Sequence, residues 1–434
     1  MPSRRDFLQA FGATLAAAPL LSANAASAAD DAKPAPSKSS APKRLAVVTT
    51  LWNYKSHAWH MAERFLAGYP HNGRWHRSPF HVVSAYVDQR PEGDLSGQRA
   101  EEFGFKIYPT VAEALRCGGS KLDVDAVLLI GEHGSYPINE YGQKQYPRYE
   151  LFQKIVEVFR KDGRTTPVFN DKHLSWKFEW AKEMVDISRE MKFPFLAGSS
   201  LPNTWRMPSV ELPLGAEVEE ILCVAHGALD IYDFHALESL QCFAERRKGG
   251  ETGVKWIHAQ RGPAVWDAMK SGSWAKGGWD PQLFEACLSR SHTLKQTPTN
   301  SHRYPTDAQM REWVKDPIAY RFEYVDGTRG TMLLLNGLTE DFLVAVRQKG
   351  QSEPLSTLLH LPPNPNVYYS AGLMRKADEM FVTGKAPYPV ERTLLTSGMV
   401  EAALHSLKDG QRLDTPQLAA VKYAAPKESQ FLRS

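Results

Sequence analysis

Arg44-Leu-Ala-Val-Val-Thr-Thr50 decides the fold. Its nearly continuous apolar character is that of a strand buried on both faces, as in a parallel sheet covered by helices. Downstream, Ala58, Met61, Ala62, Phe65 and Leu66 recur at helical spacing, and His81-Val-Val-Ser-Ala-Tyr-Val87 reads as a second strand that ends at Asp88. A helix through Gln98 to Phe103, a short strand at Lys106 to Tyr108, a helix through Val111 to Leu115 and a buried strand at Ala126 to Ile130 follow. Tyr149 to Arg160 is helical, Thr166 to Asn170 is a strand, Trp180, Met184, Ile187 and Met191 form a helical stripe, and Phe195 to Ala197 is a further strand. Such alternation predicts an α/β fold with a doubly wound parallel sheet, whose ligands bind at the carboxyl ends of the strands. The informative loops are therefore Thr49 to His57, Asp88 to Asp94, Gly131 to Pro137 and Asn170 to His173.

Beyond about residue 210 the style changes. Tyr320 to Val325 and Thr331 to Asn336 read as strands joined around Asp326-Gly327, and Glu219 to Ala225, Gly253 to Gln260 and Phe342 to Val346 are further strands. The expectation is a first domain over residues 44–205 and an α+β domain over residues 206–434 with an open, mainly antiparallel sheet, whose last helices can pack back on the first domain. A large open sheet needs cover on its second face, which suggests a homo-oligomer.

At the start, Ser3-Arg4-Arg5-Asp6-Phe7-Leu8, an apolar run from Phe11 to Leu21 and the small residues Ala26-Ser27-Ala28 have the layout of a twin-arginine export signal over residues 1–28. That route carries folded proteins, so the twin-arginine machinery is an expected partner and the periplasm or outside the expected location. The run is too short to span a bilayer; an uncleaved signal acting as an anchor is the alternative. Residues 29–43, rich in Ala, Pro, Ser and Lys, read as a tether. The net charge of +3 gives no reason to expect a nucleic-acid partner. The four cysteines form no CxxC pair, which argues against a zinc or redox motif. Disulfides are open to an exported chain, but Cys223 and Cys242 lie in apolar segments that suit buried free thiols.

Several segments, taken in order, resemble the Gfo/Idh/MocA family, named for glucose-fructose oxidoreductase, inositol dehydrogenase and MocA. Leu122-Asp-Val-Asp-Ala-Val-Leu-Leu-Ile130 is similar to the strand before the family's nicotinamide loop. Phe169-Asn170-Asp171-Lys172-His173 sits where the family has Glu-Lys-Pro, and Phe193-Pro194-Phe195-Leu196-Ala197-Gly198 follows at the expected distance. Thr383-Gly384-Lys385-Ala386-Pro387, Met399 to Ser406 and Asp409-Gly410 resemble the family's closing helices and turn. The resemblance covers nearly all of the chain after the tether and implies a Rossmann-like first domain, a tightly bound NAD or NADP, and hydride transfer on a carbohydrate or polyol.

By carry-over, cofactor-binding positions are Thr50, Trp52, Asn53, Asp88, Glu132, His133 and Asp171, with Asp88 at the ribose. The family's Gly-x-Gly-x-x-Gly turn lets a pyrophosphate approach the backbone. Here the equivalent Thr49 to His57 contains no glycine, and Trp52 and Tyr54 would stand in that space unless the loop swings away. Gly68 to Pro79 inserts a loop ahead of Asp88, which is otherwise a turn or capping aspartate. Lys172 is the implied catalytic residue that polarises the reacting oxygen; a solvated surface lysine is the plainer reading. His173 replaces the family's proline, so the usual cause of a cis bond after Lys172 is absent. Asp233-Phe-His235-Ala-Leu-Glu238 resembles the acid/base histidine segment, with His235 as the catalytic match and Glu238 placed to fix its tautomer. A core histidine bonded to Glu238 is the alternative.

His57, His60, His133 and His173 cluster on the same loops. Imidazoles from several loops can hold a divalent metal, so His57, His133 and His173 define an alternative site for a nucleotide-free, metal-assisted carbohydrate lyase or hydrolase. Gly131 and Gly134 flank Glu132-His133 and would permit close approach to a ligand. His173, Trp205 and Arg206 are substrate positions, and in the second domain Trp256, Trp266, Trp274, Trp279 and His302-Arg303-Tyr304 add groups able to stack on a sugar or bond its hydroxyls. A non-catalytic sugar-binding protein is the remaining possibility.

Overall fold

A computed structural model describes residues 42–297, 305–362 and 368–433. The twin-arginine segment, the tether through Ala41 and His302-Arg303-Tyr304 lie outside the described residues. Among those described, no helix is long and apolar enough to cross a membrane.

The first half contains β1 (Lys43–Thr49), β2 (Tyr69–His71), β3 (Arg74–His76), β4 (Phe80–Val87), β5 (Lys106–Ile107), β6 (Ala126–Ile130), β7 (Val168–Asp171) and β8 (Phe195–Gly198). Six of them pair in the order β5-β4-β1-β6-β7-β8, every neighbour parallel. The order reverses beside β1, which is the switch point where such folds open a crevice at the carboxyl ends of the strands. Between the strands run α1 (His57–Ala67), α2 (Ser96–Phe103), α3 (Val111–Leu115), α4 (Arg148–Asp162) and α5 (Phe178–Glu190). Alternation along β1 sorts the two faces: Ala46 and Val48 pack in a cluster with Phe152 and Ile155 of α4 and Met184 of α5, whereas Leu45 and Val47 pack with Met61 and Phe65 of α1. The expected insertion loop at Gly68 to Pro79 is instead the hairpin β2–β3. Asn72 and Gly73 form its two-residue turn with φ of 47° and 72°, the positive pair that a type I′ turn requires.

The second half contains β9 (Trp205–Met207), β10 (Val218–Ala225), β11 (Val254–Arg261), β12 (Ile318–Tyr324), β13 (Arg329–Leu334), β14 (Phe342–Gln348), β15 (Leu355–His360) and β16 (Leu413–Asp414). Their order is β16-β11-β12-β13-β10-β14-β15-β9, with β10 and β13 parallel and the other neighbours antiparallel. The helices are α6 (Tyr232–Ala244), α7 (Pro263–Ser271), α8 (Pro281–Leu288), α9 (Asp307–Trp313), α10 (Tyr369–Thr383) and α11 (Glu391–Asp409). Ile221 and Cys223 of β10 face α6 and α11, while Leu222 and Val224 face Val265 of α7 and Leu283 and Phe284 of α8. Helices of the same chain thus pack on both faces of this sheet. Leu373, Met374 and Phe381 of α10 return to the first sheet and pack with Leu45 and Val47. All four cysteines are free thiols.

Candidate active site

A cavity of about 310 Å³ opens where the carboxyl ends of β6, β7 and β8 meet α1, α6 and α10. Lys172 lines it. The residue follows β7 in the left-handed backbone region, φ 60°, and is tied to Gly198 by an isolated antiparallel bridge. Lys55 and His133, at φ 63° and 71°, line the same cavity. Each such residue costs of order 1 kcal/mol, so three around one cavity mark a place where the surroundings impose the conformation.

The Lys172 ammonium is 3.4 Å from Glu132 Oε1, and both side chains are 3% exposed, so water screens the pair little. The other Glu132 oxygen accepts from the Arg148 guanidinium, which also lies 3.0 Å from His173 Nε2. Burial alone would raise the Glu132 pKa, but the charges of Lys172 and Arg148 outweigh it and hold the carboxyl well below the usual range. Thr50 sits behind this group and donates to the Glu132 carbonyl at 2.7 Å.

Beside it, His57 Nδ1 is 2.6 Å from Asp171 Oδ2, with the aspartate side chain fully buried and the imidazole 18% exposed. Donation from Nδ1–H to the carboxylate leaves Nε2 as an acceptor. The His57 ring lies 5.1 Å from that of His133 and 5.7 Å from that of His60. Burial, then the neighbouring His57, pushes the pKa of His60 down to about 3 and that of His133 down to about 4, so both are neutral donors or acceptors near pH 7. His133 Nε2 and Asp171 Oδ1 are buried without a protein partner. Orphaned polar atoms at a cavity suit a ligand rich in hydroxyls.

His235 enters from α6, and its Nδ1 is 2.6 Å from Ser199 Oγ. That hydroxyl also accepts from Leu201 N at 3.0 Å; when it gives its own proton to Nδ1, His235 carries its proton on Nε2. Burial, then the Lys172 charge, pushes its pKa well below the usual value.

Other expected residues lie elsewhere. Glu238 does not fix His235: it is fully buried and accepts from Thr396 Oγ1 at 2.7 Å and Thr393 Oγ1 at 3.3 Å. His173 turns to Arg148 and away from the cavity, so it neither contacts a ligand there nor completes a metal set with His57 and His133. No group of three or more His, Cys, Asp or Glu side chains among the described residues is arranged to hold a metal ion. Arg206 is a core residue, its guanidinium 4.2 Å from both the Phe243 and Phe431 rings. Trp205 stacks on Tyr368 at 5.0 Å beside a separate cavity. Trp52 is buried in the first domain's core, 5.7 Å from Phe105, whereas Tyr54 is exposed. Asn53 belongs to the turn before α1, where its backbone N donates to Ser56 Oγ at 3.1 Å. The two glycines flanking Glu132 and His133 admit the chain's own side chains: a Cβ on Gly131 would come within 2.5 Å of Arg148 Cγ, and one on Gly134 within 2.7 Å of the Tyr136 ring. Arg148 and Ser199 were not singled out from sequence. The glycine at 131 is the signal for Arg148, since a large buried side chain needs space across from it.

No protein-family model and no curated protein sequence matches this chain. Solved structures do. GenD2 from gentamicin A biosynthesis, in complex with NAD, superposes with a TM-score of 0.52 at 12% identity, covering 88% of this chain and 99% of its own. A probable dehydrogenase from Thermotoga maritima gives a TM-score of 0.53 at 12% identity over 86% of this chain and 99% of that one. The myo-inositol dehydrogenase from Lactobacillus casei, in complex with NAD(H) and myo-inositol, gives 0.51 at 12% identity over 86% and 96%. The fold is therefore that of these dehydrogenases: a Rossmann-like parallel sheet joined to a mixed, mainly antiparallel one.

Proposed function

We propose that the Lys172 cavity binds a small carbohydrate or polyol and moves a proton at one of its hydroxyl-bearing carbons. The observation that carries this reading is convergence: Lys172 after β7, the His57–Asp171 pair joining α1 to β7, and His235 from α6 face one cavity. His57 Nε2, with Asp171 behind it, is the base; Lys172 donates to the reacting oxygen; His235 Nε2–H donates to a neighbouring hydroxyl. Glu132 holds the lysine in place through their ion pair. The similar structure holding myo-inositol supports the substrate class, and we read the chain as a divergent relative of the Gfo/Idh/MocA family.

The test is saturation-transfer NMR on the mature protein with myo-inositol and D-glucose as probes, repeated on Lys172→Met. Methionine keeps the length of the side chain, and Arg148 remains to pair with Glu132. We expect the variant to stay folded and to bind the probe at least about tenfold more weakly, the equivalent of roughly 1.4 kcal/mol. Equal binding by both proteins would remove Lys172 from the site.

A second reading is an oxidoreductase that passes a hydride to a tightly bound NAD or NADP. The nucleotides bound to the similar structures favour it. It requires an open track for the dinucleotide across the end of β1.

A further inference from the structure

On a fold of this topology a dinucleotide crosses the carboxyl end of the first strand, its pyrophosphate on the following helix N-terminus and its ribose at the acidic end of the next strand. Here the chain's own groups occupy that path. The turn after β1 has no glycine, and Trp52 anchors it by burying its ring against Phe105. The Trp52 carbonyl accepts from Leu95 N at 2.7 Å, which ties the loop after β4 down onto the turn. Gln89 N donates to the Thr50 carbonyl at 2.9 Å. The Gln89 side chain then spans to the loop after β6 with two bonds, accepting from Ser135 N at 2.8 Å and donating to Ser135 O at 3.0 Å.

Asp88, the residue that would meet the ribose, is engaged at both oxygens. Tyr86 and Tyr136 donate their hydroxyls to it at 2.7 Å each. The Tyr136 bond is a second span over the same path, and the close fit of Gly134 against Tyr136 and the Gln89 side chain leaves no slack beneath it. A bound dinucleotide would have to break the three side-chain hydrogen bonds that join the loops after β4 and β6 and separate the two loops. Each such bond contributes about 0.5–1.5 kcal/mol net, and the loops would reopen at that combined cost.

We infer that the dinucleotide track of this fold is shut by Gln89, Asp88, Ser135 and Tyr136, and that the protein works without NAD or NADP. Resting on the proposed function of the Lys172 cavity, the chemistry there is then redox-neutral: His57 takes a proton from a carbon beside a carbonyl of the ligand, the electron pair moves onto the carbonyl oxygen that Lys172 faces, and the proton returns to the same ligand.

The experiment uses the full mature protein purified from the exporting cell. Denaturation followed by mass spectrometry reads any nucleotide carried, and calorimetric titration with millimolar NAD and NADP reads any nucleotide taken up. A third arm measures saturation transfer from myo-inositol with no nucleotide present. The inference predicts no released nucleotide and no binding heat. Stoichiometric nucleotide in the denatured sample, or saturable heat, would overturn it. The sugar arm bears on the pocket alone: absence of transfer there, with no nucleotide bound, sinks the proposed ligand class and leaves the closed track standing.

Discussion

Asp230 shows how closely the chemistry of single residues follows their surroundings. It precedes α6 in the left-handed region, φ 62°, accepts from Lys144 N at 2.8 Å through Oδ2, and leaves Oδ1 buried without a partner. Burial, then the nearby Asp233, pushes its pKa up to about 7. A carboxyl raised in this way favours the folded state most when protonated. That contribution is complete below about pH 4, where the unfolded chain is protonated too, and is lost as pH rises through about 7. Asp230→Asn keeps an acceptor for Lys144, suits the left-handed backbone, and cannot ionise. We predict that it is more stable than the parent by about 1–3 kcal/mol at pH 8, with the gap shrinking toward pH 5. Denaturant unfolding at the two pH values measures this, and a gap independent of pH would show that Asp230 does not titrate as described. The same scale limits what sequence can reveal. Lys172, His57, His133 and Asp171 were legible because they lie at or just beyond the carboxyl ends of strands in a recognisable sheet. The directions taken by His173, Glu238 and Arg206 were not, because one rotation about a side-chain bond separates a pocket from a core, and the partners that choose between them, Arg148, Thr396 and Phe431, are distant in sequence.

Elements were legible where their period was strong. The continuous apolar runs of β1 and β6 and the helical stripes of α1 and α5 needed no tertiary information. The β2–β3 hairpin was missed although Asn72-Gly73 is a strong turn signal, because its three-residue strands carry almost no alternation. Trp52 was misplaced for another reason. A loop aromatic beside a ligand path reads as a ligand contact unless its partner is known, and Phe105 lies 53 residues away by subtraction of the two numbers. With its ring fully buried, Trp52→Ala should destabilise the protein by about 3–5 kcal/mol in urea unfolding. A loss under about 1 kcal/mol would mean that the turn is held by its backbone bonds alone.

At the scale of the molecule, α10 joins what the two sheets would otherwise divide. It contributes Leu373, Met374 and Phe381 to the first sheet's core, and its Tyr369 hydroxyl reaches His60 Nδ1 at 3.5 Å on the wall of the cavity. The hairpin is fastened to the same helix, with His76 and Ser78 bonded to Asp378 at 2.8 and 2.7 Å. The cavity is thus lined by stretches of chain between Lys55 and Ser370 brought together only in the folded state, which is why its members could be named from sequence but not its boundary. The fold class was legible throughout; the closure of the dinucleotide track was not, since it depends on three side-chain bonds between loops that carry no motif. A crystal structure of the protein grown with millimolar myo-inositol and NAD tests the account most directly. It should show the polyol against Lys172 and His57, with Gln89 still bonded to Ser135 and Tyr136 to Asp88. Dinucleotide lying over Thr50 to Trp52, with those loops parted, would contradict it.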